Sequence, residues 1–136
     1  MKPAYQTTFG DGADGEEPGN CFAACVASLL ELDTADVPNF VQHQDWFRRT
    51  QSWLNERGYG MVMVEWPSVV YAGQFPKMPL IVSGWGPRGI RHSCVGRVEW
   101  DEESYPNVQV LHDPHPKGGG LDWPRGNVSV EVVFKL

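Results

Sequence analysis

The chain has 136 residues, enough for one domain with a real core and too few for two comfortable ones. With 41% hydrophobic and 21% charged residues it has the make-up of a folded globular protein, which excludes an intrinsically disordered chain. The formal charge of −6 argues against a nucleic-acid partner, because tracking a phosphate backbone takes clustered Lys and Arg, and only Arg48-Arg49 forms a basic pair.

The first residues, MKPAYQTTFGDG, lack the apolar run of a signal peptide, and no segment approaches a membrane span in length. A cytoplasmic chain with no membrane partner is the expectation, in the host cytoplasm if the chain is phage-encoded. Residues 1–20 are rich in Gly, Asp and Glu, and DGADGEEPGN is expected as an exposed loop. From Phe22 to Leu32 nearly every residue is apolar or small, with good helix formers, which predicts a helix buried on most sides. Asp33 or Thr34 can cap a short following turn, which Pro38 limits.

Between Asp45 and Arg57, Trp46, Phe47, Trp53 and Leu54 recur near i, i+7, an amphipathic pattern that Gly58 terminates. Gly60 to Glu65 is a strand candidate, stopped by Pro67. Four further runs, Pro79 to Trp85, His92 to Trp100, Val108 to Asp113 and Val128 to Leu136, are β-branched or alternating and separated by Gly, Pro and Asn clusters. They predict an antiparallel meander. Helices first and sheet second is the α+β pattern, here as a single domain over 1–136 with 1–20 as its N-terminal loop region.

The three cysteines are Cys21, Cys25 and Cys94, an odd number that points to free thiols rather than a disulfide framework. No CxxC pair supports a structural zinc site. A cysteine reacts as its thiolate, and a helix N-terminus favours an anion there. In GNCFAACVASLL, Cys21 stands at the first turn of the predicted buried helix and Cys25 one turn deeper, so Cys21 is the candidate nucleophile and Cys25 a packed residue. A nucleophilic thiol needs a base, which imidazole supplies, and a third group to orient the ring. His92 opens a strand after the loop GWGPRGIR, and Asp113 closes the next strand, VQVLHDP; pairing of those strands as a hairpin brings the two together. Cys94, two residues beyond His92, shares its face by strand alternation and is assigned to packing.

A Cys opening a buried helix, then His at a strand start in H-x-x-V-G, then Asp-Pro at the end of the next strand, resembles the papain-like cysteine peptidase superfamily. The stretches GNCFAACVASLL, RHSCVGRV and VLHDPHPKGGGL are most similar to compact bacteriocin-processing peptidases and to small papain-like proteins of phages and bacteria. The resemblance spans Gln6 to Leu121. It implies a papain-like fold and a Cys21–His92–Asp113 triad acting without a cofactor on an amide or isopeptide bond of a protein or peptide substrate. It also implies an oxyanion hole made by the backbone N–H of Cys21 and an upstream glutamine. Gln6 matches that glutamine, with the acidic loop read as an insertion, and Asn20 is a substitute donor.

Two other readings come from the same residues. One is a papain-like scaffold that no longer cleaves and binds a protein or ligand in its cleft, as a phage factor blocking a host protein would. The other is a metal site built from His112, Asp113 and His115 with His92, although neighbouring strand residues point to opposite faces and converge only where the strand ends. Of the tryptophans, Trp85 and Trp123 lie in Gly/Pro-rich loops and are expected beside the cleft, as a substrate wall or a loop clasp.

Overall fold

The computed structural model describes residues 1–103, 105–123 and 126–136, with the side chain of Asp14 also outside the description. It is a mixed α+β structure in which an N-terminal helix is followed by a five-stranded antiparallel sheet. Helix α1 runs Cys21–Leu30, α2 Trp46–Asn55, strand β1 Tyr59–Glu65, α3 Trp66–Ala72, β2 Leu80–Trp85, β3 Arg91–Trp100, β4 Pro106–His112 and β5 Ser129–Lys135. Among the described residues no helix is long and apolar enough to cross a membrane.

The apolar run of α1 is buried from Phe22 to Ser28, and the helix ends where Glu31 turns into the left-handed region at φ 59. Its Ser28 hydroxyl accepts the Ala4 N–H at 2.9 Å, and the Lys2 N–H reaches the Ser28 carbonyl at 3.0 Å. These bonds strap the N-terminal segment along α1. Helix α2 buries Leu54 and Thr50, and Gln51 clamps it to the sheet by bonding both the N–H and the carbonyl of Met61 at 2.8 and 2.7 Å.

The strand order is β1-β5-β2-β3-β4. The meander expected from the four runs therefore holds only for β2, β3 and β4. The last strand inserts between β1 and β2, a non-local pairing that no local periodicity encodes. Pro67 ends β1 as expected, but it also starts α3, because a proline in the first helical turn needs no N–H partner. Alternate residues of β5 and β2 face two cores. One, with Ile81, Val95, Met61 and Val133, lies under α1 and α2; the other, with Leu80, Val82, Val98 and Val130, lies under α3 and the segment around Trp123.

Candidate functional site

Cys21 is the first residue of α1, half-buried, and borders a cleft of about 830 Å³. The preceding Asn20 carbonyl accepts the first helical bond, from the Ala24 N–H at 2.9 Å. His92, only 5% exposed, stands near the start of β3. Its backbone is crowded on one side, since a Cβ on Gly86 would lie 2.9 Å from the His92 Cβ. Glycine at 86 gives the ring its place.

The His92 Nε2 bonds the Asp113 Oδ1 at 2.7 Å. Asp113 follows the last residue of β4, and its carboxylate is held by two further donors, the His115 N–H on Oδ1 at 2.9 Å and the Gly120 N–H on Oδ2 at 2.8 Å. The second of these needs the GGG run. Gly118, Gly119 and Gly120 have φ of 66, 103 and 64, a succession that side chains with a Cβ do not sustain. The hairpin of β3 and β4 thus does bring His92 and Asp113 together.

Charge follows from that geometry. Burial works against a proton on His92, but the bond to Asp113 and the nearby sulfurs of Cys21 and Cys94 outweigh it and hold the imidazole up to about 11. Burial likewise opposes the Asp113 carboxylate, and the His92 bond with the two backbone N–H groups overcomes it, down to about 2. The pair is therefore imidazolium and carboxylate through the neutral range. With Nε2 committed to Asp113, Nδ1 is the ring nitrogen left for a second partner.

The other thiols are quiet. Burial pushes Cys25 well up, and Cys94 is also raised by burial, against the opposing effect of His92. Donor atoms of His92, Cys94 and Asp113 lie within 4.8 Å of one another, a three-ligand set of the kind that leaves one position open on zinc. Burial keeps the Cys94 sulfur protonated, and the Asp113 oxygens already accept three hydrogen bonds, so the set is chemically better matched to an ion pair than to a metal.

The histidines of the expected metal motif do not join it. Strand β4 ends at His112, yet the His112 Nε2 turns to the Ala4 carbonyl at 2.6 Å; the His115 Nδ1 accepts the Lys117 N–H at 3.0 Å.

Gln6 is 7% exposed and borders the cleft. One N–H of its amide reaches the Thr8 carbonyl at 3.1 Å, while its Oε1 is buried without a partner among the described residues. Asn20 is not among the described residues that line the cleft; its Oδ1 accepts the N–H groups of Thr7 and Thr8 at 2.8 and 3.1 Å and its Nδ2 donates to the Thr7 hydroxyl at 2.8 Å. Asn20 is a clasp for the N-terminal strap, which corrects its assignment as a substitute oxyanion donor.

Trp85 borders the cleft as expected. Trp123 does not; it packs on Trp66 with ring centroids 5.5 Å apart, and the neighbouring Asp122 N–H closes on the Trp85 carbonyl at 2.6 Å. It belongs to a loop clasp over the second core.

One cleft residue was not anticipated. Glu131 on β5 is 2% exposed and borders the same cleft, with the Ser83 hydroxyl on its Oε2 at 3.2 Å and the Ser129 hydroxyl on its Oε1 at 3.0 Å. The sequence carried no local signal for it, because in VSVEVV Ser129 and Glu131 alternate with valines and read as a solvent-facing set. Searches of known protein families, curated proteins and solved structures found no match for the chain.

Proposed function

We propose that the protein is a papain-like cysteine-dependent hydrolase that cleaves an amide or isopeptide bond in a protein or peptide through a thioester. The observation that carries this reading is the Nε2 bond from His92 to Asp113, which leaves the other ring nitrogen for the Cys21 thiol at a helix N-terminus in an open cleft. No feature of the reading needs a cofactor.

In this mechanism Cys21 attacks as its thiolate, the reactive form of a cysteine, and His92, held as the imidazolium, acts first as an acid. The Cys21 sulfur attacks the carbonyl carbon, and the carbonyl electrons move onto oxygen. The backbone N–H of Cys21 and the second amide hydrogen of Gln6 stabilise that oxyanion, each such donor contributing about 3 kcal/mol in well-studied hydrolases. As the tetrahedral intermediate collapses, Nδ1–H protonates the departing amine and leaves an acyl thioester on Cys21. Neutral His92 then takes a proton from water, which attacks the thioester and releases the acid and the thiolate. Asp113 holds the ring orientation throughout.

The test is turnover of a mixed peptide pool, followed by mass spectrometry, in wild type and Cys21→Ala. Loss of at least about a thousandfold with an unchanged thermal midpoint is expected. Retained turnover in Cys21→Ala would refute the reading, and absence of turnover in both proteins would leave the cleft a binding groove.

A further inference from the structure

We propose that Glu131 forms the floor of a specificity pocket in this cleft and receives the cationic side chain of a lysine- or arginine-bearing substrate. The inference deepens the hydrolase reading by naming its substrate class. It rests on a carboxylate that the fold does not need.

Glu131 sits on β5, an interior strand, paired with Ile81 on one side and Met63 on the other, on the sheet face that carries the first core and where that face borders the cleft. Burying a carboxylate without a counter-charge is costly, and a methionine or valine would fill this site more cheaply. Among the described residues Glu131 forms no ion pair. Arg91, at the start of β3, turns its guanidinium to the Asn127 carbonyl at 3.0 Å and acts on Glu131 only through space.

The carboxylate is nevertheless aimed. The Ser83 and Ser129 hydroxyls fix one oxygen each, and Ser83 is itself tied to the Ser93 hydroxyl at 2.8 Å. A carboxylate has about four acceptor sites, so two hydroxyls leave room for an ammonium or a guanidinium. The cleft walls beside it include Phe22, Trp46 and Met63, apolar surface against which an alkyl stem packs while its charged head reaches the floor. Asp11 and Glu16 on the same cleft's lining are balanced by Arg88 and Arg91, so the preference for a cation rests on Glu131 itself. Burial raises the Glu131 carboxyl to about 7, a penalty that a bound cation relieves.

The experiment uses the full-length Cys21→Ala protein, which holds a ligand without turning it over. It is titrated by NMR at about pH 8, above the ordinary carboxylate range, with Nα-acetyl-lysine methylamide and with the norleucine counterpart, which keeps the stem and lacks the charge. Binding of the lysine probe tighter by about tenfold or more is expected, with the preference lost in Cys21→Ala/Glu131→Gln. Equal affinities, no binding of the lysine probe, or a preference that survives Glu131→Gln would overturn the proposal. The lysine-to-norleucine ratio in the Glu131-bearing protein needs no Glu131 variant to fold. Because neither probe has to react, an inert Cys21 leaves this test intact, and the hydrolase reading and the pocket fail separately.

Discussion

Asp113 and Glu131 are both acids held largely away from water, and the fold treats them in opposite ways. Asp113 lies 2.7 Å from an imidazole nitrogen and accepts two backbone N–H bonds, and its carboxyl falls to about 2. Glu131 has two neutral hydroxyls and no ionic partner among the described residues, and burial lifts it to about 7. The difference teaches that burial alone does not set the charge of a site. A fixed counter-charge does, and its absence at Glu131 leaves a place for one supplied from outside.

The sharpest way to break the contrast is to make the two sites alike. Asp113→Asn leaves a buried imidazole with no anion, and a loss of about 3 kcal/mol in stability is expected, the low end of the range for breaking a buried pair because Asp113 retains some solvent contact. Its pH dependence has a definite sign. The His92 contribution, from a raised pKa, is complete below about 6.5 and declines as pH rises toward about 11. The Asp113 contribution, from a lowered pKa, is complete above about 3.8 and is lost as pH falls toward about 2. The stability gap between wild type and Asp113→Asn is therefore widest between about pH 4 and 6.5, which denaturant melts across pH would show. A flat gap would mean that the pair is not ionised in the fold.

An effect of opposite sign is expected at Glu131. Its pKa is raised from 4.5 to about 7, so the folded state binds the proton more tightly than the unfolded chain and stability falls between those values. Glu131→Gln removes that penalty and should be more stable than wild type at about pH 8, by up to about 3 kcal/mol, with the advantage shrinking to nothing near pH 4. Destabilisation at about pH 8 would show that the carboxylate has a structural partner.

How much of this was legible in the sequence depends on range. Helix α1 is written in its apolar run and α2 in the spacing of Trp46, Trp53 and Leu54, because both patterns are local. The chain positions of Cys21, His92 and Asp113 were legible for the same reason: each sits at or beside an element boundary, and a hairpin brings His92 and Asp113 together. The insertion of β5 was not, since its partners, from Ser83 opposite Ser129 to Tyr59 opposite Lys135, are distant in the chain and antiparallel pairing leaves no local mark. Glu131 was hidden with it, because an acid in an alternating strand reads as solvent-facing until the strand is known to lie inside the sheet. Asn20 misled in the other direction. Its place beside Cys21 suggested chemistry, whereas its amide holds Thr7 and Thr8 and so keeps Gln6 at the cleft.

The central claim is that Cys21 and His92 form an activated pair, and alkylation by iodoacetamide as a function of pH, with each modified cysteine located by mass spectrometry, tests it most directly. Selective labelling of Cys21 that stays fast at about pH 6 and slows by about tenfold or more in His92→Ala is predicted, with Cys25 and Cys94 silent because burial keeps them protonated. Labelling of Cys21 that appears only near about pH 8.5 and ignores His92, or that favours Cys25 or Cys94, would contradict it.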